Sequence, residues 1–289
     1  TTFDEVFLPP ETIDVVRTVA LLHLLHPEAF EEGILKEHRM KGLLLFGPPG
    51  VGKTHVIRAL AKECGVRMIS VQPSHITQMP VYMGEDEKHV RAVFSLARRL
   101  SPCVIFIDEL DAMFPERALA ACSSSATHAQ RAIITQFLQE MDGILSKQDN
   151  VIVVGATNRP FDLDDAILRR LPLRVMVELP DEVQREGILK IHLRNEQLDD
   201  DVDVKRLASL TDRFSGSDLK YLVVSAALDA VKESVTLPWT KAVKPLISLE
   251  KQAAFAPRIL YAHHFSRAKC VIHPSATEDM SSHAKLHDW

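Results

Sequence analysis

The most chemically specific stretch of the chain is Gly47, Pro48, Pro49, Gly50, Val51, Gly52, Lys53 and Thr54. Glycines in such a run let backbone N–H groups converge on phosphate oxygens, and a helix starting behind them adds its positive dipole end. Lys53 is then placed to reach terminal phosphates, and the Thr54 hydroxyl to hold Mg2+. At average residue frequencies the pattern GxxxxGK[ST] arises by chance in roughly 1% of chains of this length. A glycine-proline turn that binds nothing is the competing explanation. An apolar run before the motif and a helical period after it favour the phosphate cradle.

A second group follows an apolar run. Val104, Ile105, Phe106 and Ile107 lead into Asp108 and Glu109. Four large apolar residues read as a buried strand, so the two acids stand at its C-terminal edge, where open α/β sheets bind ligands. Asp108 is expected in the Mg2+ shell, and Glu109 as the group that polarises an attacking water. Acids after a strand are also common as solvated turn residues, and it is the cradle upstream that gives this pair its catalytic reading.

These groups need a frame, and the apolar periodicity supplies one. Residues 11–26 show helical spacing after Pro9 and Pro10; Leu43–Phe46 reads as a strand and Thr54–Cys64 as a helix. Strand signals at Arg67–Val71, Cys103–Ile107, Val151–Val154 and Arg174–Val177 alternate with helical ones at Glu85–Leu100 and about His128–Met141. The alternation predicts an α/β fold whose parallel sheet is sandwiched by helices, and the Gly47–Thr54 motif makes it resemble the P-loop NTPases. After Pro180 only helical periods are convincing, at Glu182–Leu193, Val204–Leu210, Ser217–Lys232 and His263–Val271. The expected organisation is a large nucleotide-binding domain over 1–180 and a small all-helical lid over 181–289. Leu237–Ile259 gives little signal, and Ala118–Ala126 is small and polar enough for a loop.

Composition narrows the function classes. Hydrophobic residues make up 46% and charged residues 25% of the 289 positions, the balance of a soluble globular protein. Lys and Arg number 34 against 39 Asp and Glu, a formal charge of −5, which argues against a nucleic-acid partner. The four cysteines share no CxxC spacing and fit a reducing compartment. His263, His264, Cys270 and His273 match no zinc-site spacing, so a metal reading there is disfavoured.

The stretches VIVVGATNRP (151–160) and DLDDAILRR (162–170), with GPPGVGKT and IDELDAM, resemble the AAA ATPases with a single module. The resemblance runs from Phe3 to about Lys232. It implies ATP and Mg2+ as cofactors and a nucleotide-dependent homo-hexamer. It also implies that Asn158 helps orient the water, while Arg169 and Arg170 act as arginine fingers on a neighbour's γ-phosphate. A solvated basic pair at a helix end is the plain alternative for those arginines. Ile188 and His192 in GILKIH, and Gly216 and Ser217 in SGSDL, match positions beside the adenine. Tyr82, Met83 and Gly84 match the family's pore loop, in which an aromatic ring grips an extended chain by area rather than by sequence; an aromatic that anchors its own loop to the core is the alternative.

LLHPEAF, LKEHRMKGLLLFGPPG, VRAVFSLARRLSPC and ITQFLQEMDG are most similar to the outer-mitochondrial-membrane AAA extractases, which remove mislocalised tail-anchored proteins. Extractases of this group carry an N-terminal membrane helix, which implies an anchor in a segment preceding Thr1. They also imply a place on the cytosolic face of the mitochondrial outer membrane or the peroxisome. Microtubule-severing and complex-disassembly ATPases share nearly all these motifs and stay open as alternatives. So does a nucleotide-switched scaffold with negligible turnover, although Glu109, Asn158 and both arginines argue for hydrolysis.

Overall fold

The structure, a computed structural model, describes residues 6–30, 32–37, 40–76, 85–115, 124–146, 149–234, 258–275, 285–286 and 289. Two compact units result, Thr1–Glu178 with Met280–Trp289, and Leu179–Asp279.

The first unit contains strands β1 (Gly42–Phe46), β2 (Arg67–Val71), β3 (Cys103–Ile107), β4 (Val151–Thr157) and β5 (Leu173–Met176). Its helices are α1 (Pro10–Leu25), α2 (Gly33–Glu37), α3 (Lys53–Glu63), α4 (Pro73–Ile76), α5 (Glu85–Arg99), α6 (Leu110–Met113), α7 (Ser124–Ser146) and α8 (Asp165–Arg170). All strand pairs are parallel, in the order β2-β3-β4-β1-β5.

Every residue of β1, β3 and β4 is buried, the mark of a parallel sheet covered on both faces. Successive side chains feed opposite faces. Leu44, Cys103, Ile105, Ile107, Val151 and Val153 join the core that contains Phe94, Phe114 and Phe137. Leu43, Leu45, Val104, Phe106, Ile152 and Val154 join the other, with Val56, Ile57 and Leu60 of α3. With both faces committed to packing, the polar groups of the inner strands' tips are left for chemistry.

The second unit holds α9 (Glu182–Leu193), α10 (Val204–Leu210), α11 (Gly216–Ser234) and α12 (Ala262–Val271). A capping box starts α9: the Asp181 side chain accepts the Gln184 N–H while the Gln184 side chain accepts that of Asp181. Leu189, Leu193, Phe214, Leu219, Leu222 and Phe265 form its core.

The lid is helical, as the periods after Pro180 predict, with one short addition: β6 (Gln197–Leu198) pairs in parallel with β7 (Ile259–Leu260); two-residue strands are too short to leave an alternating pattern. Met280–Trp289 group with the first unit. The Trp289 ring meets Phe46 of β1 edge-on, with centroids 4.9 Å apart, and the Arg174 guanidinium lies 4.6 Å over it. Apolar area and a cation–π contact hold that residue to the first unit.

Candidate active site

The turn after β1 requires glycine for two reasons. Gly47 has φ +148°, and a Cβ there would lie 2.1 Å from the Val177 carbonyl oxygen. Gly50 and Gly52 also have positive φ, at 76° and 99°, so the backbone curls before α3 begins at Lys53. Such a curl, followed by a helix N-terminus, is a concave set of N–H donors suited to phosphate.

Lys53 is buried at 8% exposure. Its ammonium donates to the Gly47 carbonyl (2.8 Å), the Pro48 carbonyl (2.8 Å) and Asn158 Oδ1 (2.7 Å). Burial lowers its pKa to about 8, partly opposed by the nearby Asp108 and Asp111 carboxylates. Beside it the Thr54 hydroxyl donates to Asp108 Oδ2 at 2.7 Å. Two adjacent oxygen ligands under a phosphate cradle suit Mg2+, a hard cation that binds through few protein oxygens and substrate phosphates.

Glu109 follows at the tip of β3, exposed, with φ 52° and ψ 50°. A non-glycine residue in this left-handed region costs about 1–2 kcal/mol. Its N–H donates to Asp108 Oδ1 at 3.0 Å, and the turn leads directly into α6. Asn158 follows the last residue of β4. Lys53, Thr54, Asp108, Glu109 and Asn158 therefore gather at the C-terminal ends of β1, β3 and β4, the edge the sequence indicated.

The two arginines differ. Arg170 forms a two-pronged ion pair with Asp142 of α7, Nε to Oδ1 and Nη2 to Oδ2, both at 3.0 Å. That bond raises the guanidinium pKa above its ordinary value. The pair lies on the surface, with side-chain exposures of 29% and 53%. Arg169 is exposed and has no hydrogen-bond or ion-pair partner among the described residues. Asp142 was not anticipated as a partner, because its motif shows nothing of a contact across helices.

Ile188 and His192 lie one turn apart on α9, and Gly216 and Ser217 open α11, all in the second unit. His192 lines a groove of about 280 Å3 with Glu196, Lys220, Val224, Leu228 and Arg258. Asp218 is the busiest acceptor nearby, receiving the N–H and hydroxyl of both Ser215 and Ser275 at 2.8–3.1 Å. Tyr82, Met83 and Gly84 lie outside the described residues.

Glu233, His263 and His264 also cluster, with their ligand atoms within 4.8 Å of one another. His264 Nδ1 accepts the Tyr261 N–H at 3.0 Å, so a neutral ring carries its proton on Nε2, facing Glu233 at 3.1 Å. Arg267 bonds the same carboxylate at 2.5 Å. The cluster is a hydrogen-bond network closing the start of α12.

The profile of the ATPase family associated with various cellular activities (AAA) matches residues 43–179, and that of the AAA+ lid domain matches residues 201–241. The outer mitochondrial transmembrane helix translocase of Homo sapiens is 48% identical over 196 residues, 68% of this chain and 52% of the relative. The cell division cycle protein 48 homolog of Archaeoglobus fulgidus is 37% identical over 267 residues, 91% of this chain and 34% of the relative. Spastin of Drosophila erecta is 45% identical over 196 residues, 67% of this chain and 25% of the relative. The match spans about half the length of the translocase relatives.

Proposed function

This chain belongs to the AAA family of ATPases, and from that premise we propose that it hydrolyses ATP and uses the cycle to extract membrane proteins. The observation that carries the hydrolytic part is the convergence of Lys53, Thr54, Asp108, Glu109 and Asn158 on one sheet edge. In this reading the 47–54 turn and Lys53 hold the phosphates, and Thr54 and Asp108 hold Mg2+. When bound, the ion neutralises charge on the phosphate oxygens. Glu109 takes the proton of a water that attacks the γ-phosphorus as the bond to ADP breaks, and Asn158 orients that water. Arg169 and Arg170 supply positive charge to the site of the next subunit, which makes turnover depend on assembly, with a hexameric ring as the family's usual form.

The substrate class comes from likeness. The translocase relatives are named for transmembrane helices and the outer mitochondrial membrane, and we assign mislocalised tail-anchored proteins to this chain as clients, at that membrane. Tyr82, Met83 and Gly84 are the proposed grip; Ile188, His192, Gly216 and Ser217 the proposed adenine contacts. Phosphate release at ring-forming concentration tests the motor; no ATP-dependent rate would leave a nucleotide-binding scaffold. Extraction of a tail-anchored reporter from vesicles tests the client. The likeness to spastin motivates one control: faster turnover with tubulin tails but not with the reporter would move the chain to the severing class.

A further inference from the structure

The Asp111 carboxylate and the Thr157 hydroxyl, outside the set of reacting groups, meet at 2.6 Å across the tips of β3 and β4. We propose that this pair is a positioning strut, holding Glu109 and Asn158 in mutual register; the inference rests on the hydrolytic reading above.

Thr157 is the last residue of β4 and is 1% exposed. Its single hydroxyl proton goes to Asp111 Oδ1, and its oxygen accepts the Arg159 N–H at 2.9 Å. The second bond closes the turn that carries Asn158; the first fixes that turn to α6. On the other side Asp111 lies two residues after Glu109, whose left-handed backbone is costly and needs support from its surroundings.

Leu110 supplies part of that support. It is fully buried and packs over Gly155, where an added Cβ would lie 2.3 Å from Leu110 Cδ1. Apolar packing is not directional, so it sets how close α6 lies to β4 but not how the Glu109 turn is rotated. A short charge-assisted hydrogen bond is directional and sets that rotation. The strut thus links the water-polarising acid, through Asp111 and Thr157, to the amide that receives Lys53.

The test uses two pairs of substitutions. Thr157→Val keeps the shape and loses the hydroxyl; Thr157→Ser keeps it. Asp111→Ala removes the acceptor; Asp111→Asn retains an acceptor oxygen. At saturating Mg-ATP and ring-forming concentration, Thr157→Val and Asp111→Ala should lower kcat about tenfold or more, because small misplacements of reacting groups are expensive. The Kd of a fluorescent ADP analogue should stay within about twofold, since ground-state binding is not the affected step. Thr157→Ser and Asp111→Asn should restore most of the rate, and the double variant should be no slower than the slower single one.

Wild-type kcat in Thr157→Val, or a loss no larger than its unfolded fraction by urea titration, would overturn the strut. The side-chain amide resonance of Asn158 in 15N-labelled protein gives a readout that needs no turnover. It should shift in Thr157→Val and Asp111→Ala and stay in place in the two conservative variants. No shift in any of the four rejects the strut even if the wild-type protein hydrolyses ATP. A wild-type protein without phosphate release rejects only the hydrolytic reading.

Discussion

At the scale of single residues, Lys53 makes the clearest claim on solution behaviour. Burial holds its pKa near 8, whereas phosphates brought against it favour the ammonium form and move that pKa up. Between those two values the complex holds more protons than the free protein, so nucleotide binding takes up protons and weakens as pH rises above 8. At pH 8, where half of the free lysines are neutral, uptake should approach about half a proton per nucleotide. Calorimetry in buffers of different ionisation enthalpy measures this, and uptake unchanged in Lys53→Met would assign the proton elsewhere. Arg170 makes a different claim. An ion pair this exposed contributes less than about 1 kcal/mol, so Asp142→Ala should barely move the urea midpoint. A drop of several kcal/mol would make Arg170 a structural clamp and remove it from the proposed finger pair.

At the scale of elements, the fit of α6 to β4 is a tight constraint beside the site. Gly155→Ala forces a methyl into Leu110, and overpacking of this kind costs about 1–3 kcal/mol. Denaturant unfolding should show that loss, together with a lower kcat as Glu109 is displaced; unchanged stability would mean that α6 moves aside freely. Much at this scale was legible in the sequence. The cradle, β3 with its two acids and the helices flanking them each occupy contiguous residues, where spacing alone reveals period and chemistry. What stayed hidden joins distant positions. Thr157 lies beyond the strand signal at Val151–Val154 and nothing in its motif points to Asp111, and Trp289 carries no sign that it returns to Phe46. The pairing of Gln197–Leu198 with Ile259–Leu260 is too brief to show a period and spans a stretch with little signal.

At the scale of the whole molecule, the proposed function makes one demand that a single chain cannot meet. Glu109 stands at the tip of its own sheet, while Arg169 projects from α8 with no partner among the described residues. A cation placed so serves best when a neighbour's phosphate reaches it, in a head-to-tail ring where acid and arginine of one site come from different chains. Two disabled variants separate this from hydrolysis within one chain. Glu109→Gln keeps the arginines and loses the acid; Arg169→Ala combined with Arg170→Ala keeps the acid and loses the arginines. Each alone should be nearly inactive. Mixed in equal amounts before the rings form, they should regain activity, because about a quarter of the sites in a random ring receive an intact acid from one chain and intact arginines from the next. If mixing restores nothing while sizing confirms mixed rings, the arginines act within their own chain or not at all. Assembly would then be unnecessary for chemistry, and the ring would have to serve only the grip on the client.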